Sequence, residues 1–260
     1  MTDPAARTST EECDVLIERL TGVAVITLNN PARRNALTPD SADRLVQAFE
    51  KIDADVNIGA LIVKGADGSF CSGADLRSLG SAMDDPTSDE AYGALERIYR
   101  AFTRFGEMGV PTIAAVRGSA VGAGVNLAMA ADVRIVAENA RIISGFLKLG
   151  LHPGGGHFQL LVQGSSRETA AAMGVFSQEI SGKRAAQLGL AWESVDDAEV
   201  ESRAIELAQS AASDPGLTRK AIQSLRLTTP PVVPWAAALQ AERAPQLWSL
   251  RRAANRRADV

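Results

Sequence analysis

Gly122, Ala123 and Gly124 stand between an apolar run at 112–116 and a small-residue run at 127–131, the pattern of a buried strand that breaks and restarts as a helix. Such a turn leaves backbone N–H groups free at the helix start, where the helix dipole also favours negative charge. It can hold a phosphate or a developing oxyanion. A dinucleotide phosphate fits poorly, because the third glycine of that fingerprint is missing and no acidic residue ends a following strand at a suitable distance. A second stretch, Ser69-Phe70-Cys71-Ser72-Gly73-Ala74-Asp75-Leu76, follows the apolar run at 60–64 and reads as another strand that ends in a glycine before a helical turn. Two N–H sources converging on one point are what acyl transfer or enolate chemistry needs around a carbonyl oxygen. The plainer alternative is that these glycines serve only close packing.

Titratable groups lie nearby in the sequence. His152 and His157 flank the loop Pro153-Gly154-Gly155-Gly156, and imidazole titrates where a general base should. If the segment around Phe146 is extended, Ser144 and Lys148 share its face. Asp75 beside the second turn suits a structural hydrogen bond.

The elements that must position these residues can be read in order. Residues 15–19 and 23–28 form a hairpin around Thr21-Gly22. Thr38-Pro39 is a cap followed by proline at the first helical position, with Leu45, Phe49 and Ile52 at helical spacing. Residues 89–105 are an amphipathic helix whose aromatic residues suit core packing. Strands follow at 133–137 and from Ala140, helices at 159–163 and from about Arg167, another helix after Asp214-Pro215, and a last one beyond Pro234.

With 260 residues, 46% hydrophobic and 22% charged, the chain can bury a full core, and its length suits one α/β domain with a helical appendage. The absence of a long apolar span or a signal-type leader predicts a cytoplasmic protein without membrane insertion. A formal net charge of −4 argues against nucleic acid as a partner. Cys13 and Cys71 are too few and too isolated for a metal site or a disulfide framework.

Asn35-Ala36-Leu37, then 70–76, then Ala115-Val116-Arg117-Gly118 through Gly124, then Ala131-Asp132-Val133-Arg134 occur in an order that resembles the crotonase superfamily of enoyl-CoA hydratases and isomerases, over roughly 14–193. The resemblance implies an α/β fold. After a polar, pattern-free stretch at 1–12 that reads as a mobile arm, it would comprise a spiral of ββα units over 13–195 and a C-terminal helical region at 196–260 that assembles a homotrimer or a dimer of trimers. It implies that the N–H groups of Ala74 and Ala123 hold the oxygen of an acyl-CoA thioester. Coenzyme A then arrives as part of the substrate and no cofactor is permanently bound. Arg33, Arg34, Ala36 and Leu37 would lie along coenzyme A, with Ser72, Gly73, Asp75, Leu76 and Gly122 around the thioester.

The same comparison exposes departures. Ala123 stands where glycine is usual. Asn126 and Phe146 replace the two glutamates that exchange protons in the hydratases, and neither side chain can do that work. The pattern therefore predicts thioester binding with two-glutamate hydration disfavoured, and makes His152 or His157 the candidate substitute. The alternatives are a hydrolase or isomerase working through a histidine, and an acyl-CoA-binding protein without chemistry. Trp248 and the arginines after it can either cover coenzyme A or end an intersubunit helix.

Overall fold

A computed structural model describes residues 14–78, 85–229 and 231–258, so the arm expected at 1–12 lies outside the described residues. Strands β1 (Val15–Leu20) and β2 (Val23–Leu28) pair antiparallel as the expected hairpin. β2 then continues in parallel with β3 (Ala60–Gly65), β4 (Thr112–Val116), β6 (Val133–Ala137) and β9 (Glu193–Val195) to complete a six-stranded sheet. β4 is buried along its whole length, which explains its unbroken apolar sequence. A second sheet of three short strands has β7 (Arg141–Ile143) between β5 (Ser119–Val121) and β8 (Glu179–Ser181). The chain thus alternates between the sheets: β4 then β5, β6 then β7, and β8 then β9.

Helices enclose this spiral. Thr38 caps α1 (Pro39–Asp53) in a reciprocal capping box with Ser41. α1 packs on α2 (Asp89–Gly106) through Phe49 and Phe105, whose rings stack 5.1 Å apart. α3 (Ala123–Ala130) follows β5, and α4 (His157–Gly164) and α5 (Arg167–Gly174) follow β7. α6 (Gly182–Gln187) joins β8 to β9, and α7 (Val200–Ala212) returns across the large sheet. α8 (Pro215–Thr228) and α9 (Trp235–Ala258) complete the helical C-terminal part.

Two local expectations are corrected. Residues 69–76 form no strand; they make only isolated bridges, Cys71 to Ala120 and Leu37 to Ala74, because Gly73 (φ 99°) turns the chain away. Phe146 is helical (φ −60°, ψ −53°) and opens a 3-10 turn at Leu147–Leu149, so strand alternation ends before it. Lys148 consequently lies exposed on that turn, while Ser144 is buried.

Candidate active site

The short bridge between Leu37 and Ala74 sets the first donor. Leu37 donates to the Gly73 carbonyl (2.7 Å) and accepts from the Asp75 N–H (2.8 Å), so Ala74, between them, has its own N–H directed to the opposite side. The second donor follows from a helix start. Gly122 is the N-cap of α3 and its own N–H bonds the Ile143 carbonyl, which leaves Ala123 as the first helical residue, with no carbonyl one turn back to accept its N–H. Among the described residues, neither the Ala74 nor the Ala123 N–H donates to a backbone carbonyl. Both residues line one cavity of about 90 Å³ with Gly73, Gly122, Asn126, Ser144 and Phe146.

Two glycines make the convergence possible. A Cβ on Gly124 would lie 2.3 Å from the Cys71 carbonyl oxygen, so only glycine lets α3 start against that strand-like segment. A Cβ on Gly73 would lie 2.7 Å from the Val121 carbonyl oxygen and 3.6 Å from the Ala123 nitrogen, which shows how closely the two turns abut.

Asp75 is buried beneath the first turn. Burial raises its pKa, but hydrogen bonds from the Arg33 guanidinium and the Arg77 N–H outweigh this and hold the carboxyl below its ordinary range. Arg33 is therefore engaged in the turn as well as partly exposed, and Ser72 Oγ donates to its carbonyl (2.9 Å). Arg34 is exposed in a left-handed conformation (φ 50°), and Ala36 and Leu37 are buried. Leu76 is half-buried in the cavity wall. Cys71 is fully buried and its thiol is pushed up to about 12, mainly by that burial, so no reactive thiolate stands at the turn.

Asn126 is buried, its Nδ2 donating to the Gly154 carbonyl (2.9 Å) and its Oδ1 lying 2.6 Å from His157 Nδ1. His157 Nε2 lies 2.6 Å from Ser144 Oγ, and the Phe146 ring meets the imidazole edge-on at 5.0 Å. Burial drives the His157 pKa down from 6.5 to about 3, so the ring is neutral. His152, the other histidine, is turned elsewhere: Nδ1 meets the Pro153 carbonyl (2.6 Å), its N–H donates to Ser249 Oγ, and its side chain lines a different recess with Phe158 and Val233. The structure thus gathers Ala74, Ala123, Asn126, Phe146, Gly73 and Gly122 at one cavity and leaves His152 outside it.

Sequence reasoning did not anticipate the contribution of α9. Gln246 accepts from Tyr99 Oη and lines the cavity with Leu250. Glu242 is buried and accepts from the N–H groups of His157 (2.8 Å) and Phe158 (3.0 Å), an anion at the start of α4. Its pKa is raised by burial, against the lowering effect of those N–H groups. The signal was available in the polar residues at 242, 246 and 249, which recur at helical spacing.

The chain matches the sequence profile of the enoyl-CoA hydratase/isomerase family over residues 18–241. It is 42% identical over 193 residues to a probable enoyl-CoA hydratase of Mycobacterium tuberculosis, covering 74% of this chain and 73% of the relative. It is 32% identical over 213 residues to the 1,2-epoxyphenylacetyl-CoA isomerase of Escherichia coli, covering 80% and 81%. Among solved structures, an enoyl-CoA hydratase/isomerase from Xanthobacter autotrophicus superposes with a TM-score of 0.78 at 30% identity, covering 91% of this chain and 86% of the other. The chain belongs to the enoyl-CoA hydratase/isomerase family, and its fold is that of the crotonases.

Proposed function

We propose that this family member binds acyl-CoA thioesters with the carbonyl oxygen between the N–H groups of Ala74 and Ala123, and that the pair stabilises negative charge on that oxygen. The observation that carries the reading is the pair of backbone N–H groups left unpaired at one small, largely apolar cavity. A donor held in place before reaction acts strongly there because no reorganisation is needed when charge develops. The names of the two relatives, an enoyl-CoA hydratase and an isomerase of an epoxyacyl-CoA, support the thioester class. Coenzyme A is then part of the substrate, and its phosphates would meet the exposed Arg34 and the part of the Arg33 guanidinium that Asp75 does not hold.

Two-glutamate hydration is disfavoured in this reading. Phe146 carries no proton, and Asn126 is tied at both polar ends and titrates nowhere useful. The test is crotonyl-CoA added to the purified protein, with binding followed by calorimetry and hydration by loss of the conjugated thioester absorbance. Binding with hydration far below the usual range of enzyme turnover, about 1–10³ per second, is expected. An absence of heat over a panel of acyl-CoAs would refute the thioester assignment. Turnover at hundreds per second would refute the claim that the lost glutamates matter.

A further inference from the structure

The buried chain of side chains behind the cavity has only one self-consistent proton arrangement. The Gly154 carbonyl can only accept, so the amide end that faces it at 2.9 Å is the donor, Nδ2 of Asn126. The other end, Oδ1, can only accept, so His157 Nδ1, 2.6 Å away, carries the hydrogen. In a neutral imidazole the second nitrogen is then an acceptor, and Ser144 Oγ, 2.6 Å from Nε2, must donate to it. Hydroxyl, imidazole and an orienting group in that order are the arrangement that activates a serine nucleophile, whatever fold carries it. Ser144 also lines the cavity that holds the Ala74 and Ala123 N–H groups, and its carbonyl oxygen lies 3.5 Å from where a Cβ on Gly122, the residue before Ala123, would stand.

We propose that Ser144 is an acyl-accepting nucleophile, with His157 its base and Asn126 the positioning residue that fixes the imidazole tautomer. The proposal rests on the thioester reading above and names the chemistry done at that same site. Ser144 Oγ attacks the thioester carbon as its proton passes to His157 Nε2, and the carbonyl oxygen becomes an alkoxide between Ala74 and Ala123. The carbon–sulfur bond then breaks, coenzyme A leaves as a thiol with the proton from Nε2, and an acyl ester remains on Ser144. Water repeats the sequence, giving its proton to His157 and its oxygen to the acyl carbon, and Ser144 recovers its proton. The net reaction is thioester plus water to carboxylic acid plus thiol. The neutral, deeply buried His157 is a weak base, since imidazolium forms there only beside the alkoxide, and this makes the reaction slow. Glu242 holds the backbone N–H of His157, which anchors the residue without touching the reacting nitrogen.

The experiment uses the full chain and butyryl-CoA, which has no double bond to hydrate. Binding is measured by calorimetry, thiol release by a thiol-reactive chromophore, and the protein by intact and peptide mass. The expected result is slow thiol release with a butyryl adduct, or a fluorophosphonate adduct, on the peptide that carries Ser144. Ser144→Ala and His157→Gln should lower release about 100-fold or more with binding retained. Asn126→Asp, which can still accept from Nδ1, should retain more release than Asn126→Ala. Butyryl-CoA binding with neither release nor adduct would overturn the nucleophile and leave the thioester reading standing. No binding of butyryl-CoA or of any other member of the acyl-CoA panel would overturn both. An adduct on any other residue would overturn the assignment to Ser144.

Discussion

Asn126 links Gly154 to His157, and this changes what restoring the family's carboxylates can achieve. Asn126→Glu places a carboxylate that cannot donate against the Gly154 carbonyl. The double variant with Phe146→Glu is therefore expected to lose stability, by about 1–3 kcal/mol for the unsatisfied buried pair, before any hydration of crotonyl-CoA appears; denaturant midpoints measured beside the ultraviolet assay check this. His157 gives a separate, pH-dependent signature. Its pKa falls from 6.5 in the unfolded chain to about 3 in the fold, so between these values the unfolded state binds the extra proton. Stability contributed by neutral His157 is present above the unfolded pKa and is lost as pH falls through that window, roughly 1–2 kcal/mol by pH 5. Glu242, raised by burial, acts in the opposite direction, but it is common to the native protein and His157→Gln. Denaturant midpoints at pH 7 and 5 should therefore fall further for the native protein than for the variant. None of the Ser144–His157–Asn126 geometry was legible in the sequence. Its members are 13 and 31 residues apart, and only the folded spiral brings the residue after β7, α3 and the start of α4 together.

Among the elements, the α3 start is the piece on which the proposed chemistry turns. Ala123 is the first residue of the helix, a position where proline is tolerated because its N–H has no helical partner. Ala123→Pro therefore deletes one donor and leaves the helix, and is expected to lower turnover of any accepted thioester by about 10²–10³-fold with the melting temperature little changed. Gly124→Ala is the converse case. Its methyl would meet the Cys71 carbonyl oxygen at 2.3 Å, and overpacking of this kind typically costs about 1–3 kcal/mol, visible as a thermal shift of several degrees. Both turns were legible because glycine at these positions has a steric cause. The strand expected at 69–76 was not observed, since Phe70 and Cys71 are apolar for the core, yet the segment pairs only through the single bridges of Cys71 and Ala74. α7 went unread although Val200, Ala204 and Ala208 repeat every fourth residue, because alanines give a weak apolar signal.

At the scale of the molecule, the helical C-terminal part is partly turned inward. Trp235 and Leu239 lie in the C-terminal region to which the family resemblance assigns subunit assembly. In the structure Trp235 stacks near Phe102 with centroids 6.2 Å apart, its Nε1 donating to the Gly155 carbonyl (3.2 Å), and Leu239 is buried. Large apolar side chains left exposed include Val175, Phe176, Trp192, Leu227, Val232 and Trp248, too many large groups for a surface meant only for water. We propose that these faces meet copies of the same chain in a trimer or a dimer of trimers. Sedimentation should show that mass, and Phe176→Glu with Val232→Glu should shift it toward monomer; a native protein that sediments as a monomer at working concentrations would contradict the assembly. Among the described residues no helix is long and apolar enough to cross a membrane, and no cluster of metal-ligating side chains is found. The order of the large sheet was not legible, since apolar strand sequences carry no label for their neighbours, and the family resemblance implied only a spiral of ββα units.

Thioester recognition in this protein depends on a carbonyl oxygen held between the N–H groups of Ala74 and Ala123. Isotope-edited infrared difference spectra of butyryl-CoA carrying a ¹³C carbonyl, bound to the native protein and to Ala123→Pro, report that contact directly. Hydrogen bonding withdraws electron density from the C=O bond. The carbonyl band is expected at lower frequency on the native protein than in water, moving back toward the free value on Ala123→Pro. A band on the bound native protein no lower than in water, or one that Ala123→Pro leaves unmoved, would contradict that placement of the oxygen.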